Sequence, residues 1–185
     1  MTRPSLAQLG CVTQLTADIL GGVLGRDYTG QTCSIARTLE VIGERWTMLI
    51  VRDVFLGLRR FDEIQADLGI ARNVLASRLD RLVETGVLEK ALYRERPPRY
   101  EYGLTGKGRD LWPVLLELMQ WGDRHAAGRD GPPVIYRHRD CGGTVGSGRR
   151  CAACGALVER GDVAVEAGPG AGADHLIRGH LAASG

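Results

Sequence analysis

Apolar residues recur at helical spacing in four successive segments between residues 33 and 86. Each segment ends near a glycine, and glycine favours a helix end because it adopts left-handed backbone angles without strain. The pattern therefore predicts four helices. They are expected to begin near Ile35, Trp46, Phe61 and Ala71, and to end near Gly43, Gly57, Gly69 and Gly86.

The pattern then changes to two short strands joined by a stiff turn. Residues 87–94 and 100–104 are rich in Val, Leu and Tyr, and the segment Glu95–Arg99 between them contains two prolines. Proline cannot donate to a strand ladder, so the pair predicts a hairpin with a rigid tip. Four helices followed by a hairpin is the order of a winged helix-turn-helix, a mainly α fold with a small β-hairpin; a generic small α+β domain without a nucleic-acid role is the alternative.

Residues 106–126 predict a last helix, with Thr105 as its N-cap. Apolar residues surround most of this helix, so a single core face cannot bury them all. A partner helix is the expected second surface, and we predict a homodimer through helix 106–126. Pro113 is expected to kink the helix if it begins at residue 106.

The fourth helix carries a polar face opposite its leucines. In the major groove, Asn pairs with adenine and Arg with guanine, and the N-terminal part of a recognition helix enters the groove. A solvated surface helix is the alternative, and Asp80 and Glu84 favour it for the C-terminal half. The base-edge candidates are Asn73, Ser77 and Arg81, and the phosphate candidates are Arg72 and Arg78.

Charge is informative locally rather than overall. The chain has 24 Lys+Arg against 22 Asp+Glu, a net charge of +2, which excludes a histone-like polycation but not a local basic surface. Residues 90–99 have a net charge of +3. A hairpin of that charge can lie on the DNA backbone or enter the minor groove, whereas simple solvation is the alternative. Its basic residues are Lys90, Arg94, Arg96 and Arg99.

Two short turns near the C-terminus have the spacing of metal ligands. His138 and Cys141 form one x-x-Cys-Gly turn, and Cys151 and Cys154 form the other. One His and three Cys make the tetrahedral set that suits structural Zn²⁺, and no position is left for a catalytic water. A Cys-x-x-Cys pair by itself could instead be a redox dithiol. We predict a zinc-ribbon-like module with strands at Val134–Tyr136 and Ala156–Val158, and no organic cofactor.

Several motifs together closely resemble HxlR-type transcriptional regulators. They extend from about Cys33 to His125, occur in the same order, and are separated along the chain. The matching segments are Cys33–Asp53, Arg59–Ile64, Asn73–Leu79, Leu82–Gly86 and Pro98–Thr105.

The resemblance implies a dimeric winged-helix regulator of bacterial transcription whose terminal helices form the dimer interface. Some members use a cysteine near the start of the domain as a thiol sensor, and Cys33 occupies that place. A small buried apolar residue is the alternative for Cys33.

The expected function is sequence-specific binding of double-stranded DNA by a dimer on a pseudo-palindromic operator. A protein-interaction module with a winged-helix fold is one alternative. A thiol- or metal-dependent enzyme is the other, and it is disfavoured because no catalytic triad, phosphate loop or paired carboxylates accompany the cysteines. We therefore expect no enzymatic activity. We also expect no membrane segment and a cytoplasmic location, since long apolar runs and a clear export signal are lacking.

The chain is thereby divided into five parts. We expect an N-terminal arm of uncertain order, the HxlR-type DNA-binding and dimerisation domain, a linker, the zinc-ribbon-like module and a disordered tail. Their bounds are 1–32, 33–127, 128–133, 134–165 and 166–185.

Overall fold

The computed structural model of the protein describes residues 28, 30–126, 128 and 130–172. The chain divides into two units between Val41 and Ile42. Helix α1 (Ser34–Ile42) begins in the first unit, and Cys33 precedes it. Most of the predicted N-terminal arm and residues 173–185 of the predicted tail lie outside the described residues.

Three helices form the core of the second unit. They are α2 (Thr47–Leu56), α3 (Phe61–Leu68) and α4 (Arg72–Glu84). Burying each large apolar side chain contributes about 1.5–3 kcal/mol relative to leaving it exposed. The apolar side chains of these helices that are at most 1% exposed are Ile50, Val51, Ile64, Leu75, Leu79 and Leu82, whereas Leu49 of α2 is 39% exposed.

A hairpin follows the three helices and is held beside α3. Strand β1 (Leu88–Arg94) pairs antiparallel with β2 (Arg99–Leu104), with an irregular register near the tip. The backbone N–H of Tyr102 donates to the carbonyl oxygen of Arg59 at 2.8 Å. The hairpin is thus the predicted wing, fixed next to the start of α3.

The predicted helix 106–126 is two helices, α5 (Gly106–Arg109) and α6 (Trp112–His125). Thr105 caps α5 as predicted, since its side chain accepts a hydrogen bond from the Gly108 N–H. Pro113 lies in the first turn of α6, where its missing N–H costs nothing. The proline therefore begins a new helix rather than kinking a continuous one.

The C-terminal module is built on strands β3 (Val134–His138) and β4 (Val163–Ala167). They pair antiparallel, with Val134 opposite Ala167 and His138 opposite Val163. The second strand predicted at residues 156–158 was wrong. This segment makes an isolated bridge between Leu157 and Arg150, and its Val158 side chain fills the module core.

The predicted bounds of the linker and tail also change. Strand β4 crosses the predicted boundary at residue 166, so residues 166–167 belong to the module rather than to a disordered tail. The N–H groups of Gly168 and Gly170 donate to the carbonyl oxygens of Pro133 and Pro132 at 2.9 and 3.1 Å. Residues 132–133 are therefore part of the module rather than of a free linker.

Aromatic side chains join the C-terminal module to α2 and α6. The Trp112 ring lies 5.8 Å from that of Phe55 and 5.1 Å, edge-on, from that of Tyr136. Trp112 is 2% exposed and Tyr136 5% exposed, so the contact is a packed core.

Among the helices of the described ranges, none has the length and hydropathy of a membrane-spanning segment.

Candidate nucleic-acid interface and metal centre

Helix α4 separates an apolar face from a polar one, as the sequence predicts. Leu75, Leu79 and Leu82 are buried, whereas Asn73 and Ser77 are exposed. Arg81 is also exposed, and its guanidinium lies 3.7 Å from the Glu84 carboxylate. The three base-edge candidates thus lie on a free surface of the helix.

Arg72, at the start of α4, makes exposed contacts with α3. Its Nη1 donates to Asp62 Oδ1 at 3.2 Å and to Gln65 Oε1 at 3.0 Å, and its guanidinium lies 4.7 Å from the centre of the Phe61 ring. The side chains of Arg72 and Asp62 are 68% and 67% exposed. An exposed ion pair stabilises a protein by at most about 1 kcal/mol, so a phosphate can replace the carboxylate at little cost.

Arg78 is held more firmly than Arg72. Its Nη2 donates to Glu44 Oε2 at 2.7 Å and its Nε donates to the Arg45 carbonyl oxygen at 3.4 Å. The side chain is 26% exposed. Arg78 therefore anchors α4 to residues 44–45.

The wing presents cations and aromatic rings together. Arg94, Arg96 and Arg99 are exposed, and the Nε of Arg94 donates to the Arg96 carbonyl oxygen at 3.2 Å. The ammonium of Lys90 lies 4.3 Å from the centre of the Tyr100 ring. The basic residues predicted for the hairpin are accordingly free to contact an anionic partner.

A groove joins the wing to the starts of α3 and α4; Arg60, Arg72 and Arg99 line it, together with the carboxylates of Asp62 and Glu63. Arg60 Nε donates to Glu101 Oε1 at 3.0 Å, and the guanidinium lies 4.8 Å from the centre of the Tyr93 ring. Arg60 is not among the site residues that the sequence predicts. The sequence offers one signal for Arg60, because it follows Arg59 and directly precedes the helix predicted from Phe61.

The four predicted metal ligands lie together. Their ligand atoms are all within 4.8 Å of one another. Cys141 Sγ lies 3.3 Å from His138 Nδ1, 3.3 Å from Cys151 Sγ and 3.6 Å from Cys154 Sγ. Since a Zn–S bond is about 2.3 Å, ligand sulfurs in a tetrahedral zinc site lie about 3.8 Å apart. The distances from Cys141 Sγ to the other two sulfurs are slightly shorter than this spacing.

Two similar backbone turns present these ligands. The Gly142 N–H donates to the His138 carbonyl oxygen at 2.8 Å, and the Gly155 N–H donates to that of Cys151 at 2.9 Å. Both glycines have positive φ, 70° and 72°, which glycine adopts without strain. A glycine directly after the second ligand of each pair therefore closes each turn.

The surroundings of the ligands suit metal binding. The imidazole of His138, 6% exposed, turns Nδ1 toward the sulfurs, while its Nε2 lies 3.6 Å from Asp140 Oδ2. That separation is longer than a hydrogen bond and the Asp140 side chain is 86% exposed, so this carboxylate does not fix the ring. The pKa of Cys151 is lowered, mainly because the Cys154 amide donates to its thiolate. One imidazole and three thiols could together supply four ligands to a metal ion.

Cys33 is exposed, which argues against the small buried apolar residue considered as its alternative. The pKa of its thiol is lowered, mainly because the amide of Ala36 in the first turn of α1 donates to the thiolate. An accessible thiol with a lowered pKa is the form that reacts with oxidants.

The helices α2–α4 and the attached wing define a winged helix-turn-helix DNA-binding domain. The HxlR-like helix-turn-helix family model matches residues 41–130. An HTH-type transcriptional regulator of Mycobacterium tuberculosis (strain ATCC 25618 / H37Rv) is 44% identical over 137 residues, which cover 74% of this chain and 87% of the relative. The chain therefore belongs to the HxlR-like family, and the protein is a DNA-binding transcriptional regulator.

Two further comparisons agree with this assignment. The HTH-type transcriptional regulator YdeP of Bacillus subtilis (strain 168) is 33% identical over 106 residues, covering 55% of this chain and 83% of YdeP. The crystal structure of PA1607, a protein assigned as a transcription factor, has a TM-score of 0.58 at 43% identity. It covers 74% of this chain and 96% of PA1607.

Proposed function

We propose that this regulator binds a pseudo-palindromic operator as a dimer. In each protomer, α4 enters the major groove and the wing contacts the flanking backbone or minor groove. The observation that carries this proposal is the groove in which Arg60, Arg72 and Arg99 converge from three segments. Clustered cations let a chain of nearly zero net charge bind a polyanion, because each phosphate contact releases counterions.

The residues divide by the DNA atoms they reach. Asn73, Ser77 and Arg81 contact base edges from α4, while Arg72 and the wing arginines Arg94, Arg96 and Arg99 contact phosphates. Arg60 joins the phosphate group because it lines the same groove as Arg72. Arg78 reaches a phosphate only by leaving Glu44, so its main contribution is to fix the position of α4.

Footprinting on the DNA upstream of the protein's own gene tests the operator. We expect two protected half-sites about 10 bp apart from centre to centre, one turn of the duplex. Asn73→Ala should reduce discrimination at an adenine by about 1–3 kcal/mol. Glu84→Gln, at the far end of the same helix, should retain it. Protection without half-sites, or unchanged discrimination in Asn73→Ala, would contradict the proposal.

The dimer contact is assigned to α6. Its exposed residues Val114, Leu118 and Trp121 are 41%, 52% and 58% exposed and follow one another at helical spacing. An apolar stripe of this kind on a helix surface favours packing against a second helix. Terminal helices also form the dimer interface that the family resemblance implies.

Sedimentation equilibrium tests the dimer with two matched variants. Leu118→Glu introduces a charge into the proposed contact and should convert dimers to monomers. Leu92→Glu makes the same change at a wing leucine that is also 52% exposed, and should leave the dimer intact. A monomeric wild type, or equal behaviour of the two variants, would overturn this assignment.

The cluster of His138, Cys141, Cys151 and Cys154 is assigned to structural zinc. Three thiolates and one imidazole select zinc over Mg²⁺ or Ca²⁺, which prefer oxygen ligands. Protein purified without chelators should contain about one zinc per chain, and Cys151→Ser should lose it. Cys33→Ser should keep it. Less than about half a zinc per wild-type chain would refute the assignment.

Cys33 is assigned to thiol sensing. Its exposure and lowered pKa support a reactive thiol at the place where the family resemblance implies a sensor. Oxidation at this position is expected to change operator affinity.

A further inference from the structure

The loop closed by the metal ligands is the part of the C-terminal module that contacts α6. Nine residues separate Cys141 from Cys151. Within them, the Gly148 N–H donates to Glu117 Oε1 at 2.7 Å, and the Val145 carbonyl oxygen accepts from Gln120 Nε2 at 3.3 Å. Metal ligation and contact with α6 thus belong to one short segment.

A third contact strengthens this connection. Arg124 Nη1 donates to Ser147 Oγ at 3.1 Å, so three residues of α6, spaced over two helical turns, contact the same loop. Gln120 is 8% exposed, and its Oε1 has no hydrogen-bond partner among the described residues. Because Gln120 is buried, movement of the loop away from α6 would expose or unpair its amide.

The same helix carries the proposed dimer contact on a neighbouring face. With 3.6 residues per turn, the stripe of Val114, Leu118 and Trp121 is rotated by roughly 90° from the side chains that contact the loop. A helix is rigid over this distance, so fixing one face fixes the direction of the other. The loop is therefore placed to set the orientation of the dimer contact.

Metal binding stabilises this loop in its observed position. The four ligand atoms lie within 4.8 Å of one another, so the three cysteines repel one another as thiolates unless a cation or protons neutralise them, and a bound cation removes that repulsion. The free energy of binding a structural metal therefore also favours the folded loop. Val145 and Cys151, which pair across the loop, are 4% and 2% exposed, so opening the loop would expose its core.

We infer that metal occupancy of the His138–Cys154 cluster is coupled to dimerisation, and hence to operator binding, through the contacts of residues 145–148 with α6. This inference rests on the zinc site and the dimer proposed above. Because coupling between two binding equilibria is reciprocal, the dimer must also hold the metal more tightly than the monomer does. The regulator thereby responds to the supply of a thiophilic divalent cation.

The test compares the full-length protein loaded with zinc and after removal of zinc by a chelator. Sedimentation equilibrium should show the dimer dissociation constant rising about tenfold on metal removal, a factor within the usual range of coupling between sites. Adding zinc back should return the dimer dissociation constant to its original value. Circular dichroism of both forms checks that the helices persist.

Two variants show whether the effect travels through α6. The double variant Glu117→Ala with Gln120→Ala should keep one zinc per chain, while its dimer constant becomes insensitive to the chelator. Glu166→Gln breaks the 3.0 Å ion pair with Arg137 inside the module but leaves the Arg137 hydrogen bonds to Gly142 and Thr144 of the loop and all contacts with α6, and should keep the full sensitivity.

The outcomes separate the inference from its foundations. Less than half a zinc per chain would contradict the proposed metal site, and a zinc-loaded protein that is monomeric would contradict the proposed dimer. Either result would also rule out the coupling inferred here. If the protein holds one zinc and dimerises equally with and without it, the coupling alone is wrong. Undiminished sensitivity in the α6 double variant would also refute transmission through residues 145–148.

Discussion

Arg160 Nη2 donates a hydrogen bond of 2.8 Å to the backbone carbonyl oxygen of Phe55, joining the C-terminal module to helix α2. The guanidinium of Arg160 also lies 5.5 Å from the centre of the Trp112 ring. One side chain of the module thus contacts both α2 and the first residue of α6. The C-terminal module is consequently packed on the DNA-binding domain rather than tethered to it.

Replacing Arg160 should destabilise this packing. In Arg160→Ala, the hydrogen bond to the Phe55 carbonyl group and the cation–π contact are lost, at a cost of about 2–3 kcal/mol in free energy of unfolding. Urea denaturation measures the difference. Arg139→Ala, at an exposed position of the same module, should change stability by less than about 0.5 kcal/mol. Equal stability of the two variants would contradict the packing role.

Asp53 gives the fold a specific pH dependence. Its side chain is fully buried and accepts a hydrogen bond from Arg52 Nη2 at 2.7 Å, while burial raises the pKa of its carboxyl group to about 7. The folded state therefore binds more protons than the unfolded state between about pH 4 and 7. The contribution of Asp53 to the free energy of unfolding decreases as pH rises through this range, and then stays constant.

The Asp53→Asn variant isolates this contribution, because its amide keeps an acceptor for Arg52 and does not titrate. The stability of the variant relative to wild type should increase by about 2 kcal/mol from pH 5 to pH 8, as measured by urea denaturation. A difference that is constant between these pH values would show that Asp53 does not titrate in this range.

Gly143 should be essential for the metal centre. A Cβ atom at this position would collide with Cys151 Sγ and lie 2.6 Å from the Ala153 Cβ atom. Gly143→Ala should therefore weaken zinc binding about tenfold or more, measured by competition with a chromogenic chelator. Gly161→Ala is the control, since a Cβ there meets nothing within 4 Å. Equal zinc affinity of the two variants would contradict this geometry.

Thiol sensing predicts that Cys33 controls the response to oxidants. Treating the protein with diamide should change its affinity for operator DNA in a gel-shift assay, and a reducing agent should reverse the change. Cys33→Ser should show no response while keeping its zinc. An unchanged affinity in treated wild type would exclude sensing through Cys33.

The sequence predicted best those features that depend on local pattern. The buried stripe of Leu75, Leu79 and Leu82 follows from helical spacing, and the positions of Gly142 and Gly155 follow from the ligand turns. Neighbouring residues determine each of these features, so a single sequence suffices to find them.

Features that depend on distant segments were missed. Strand β4 exists because Val134 and Ala167 pair across more than thirty residues, and the intervening loop gives no signal of that pairing. The groove lined by Arg60 likewise depends on the ion pair between Arg60 and Glu101 of the wing. Tertiary contacts of this kind are not encoded in periodicity or short motifs.

The salt dependence of operator binding tests the central claim, that the wing and α4 bind duplex DNA through clustered charges. Fluorescence anisotropy at several salt concentrations gives the slope of log affinity against log salt. For Arg96→Ala with Arg99→Ala we expect weaker binding and a slope shallower by about 1.8, since each phosphate contact contributes about 0.9. Arg109→Ala with Arg139→Ala removes the same charge outside the wing and should keep the wild-type slope. A wing variant with the affinity and slope of wild type would contradict the account.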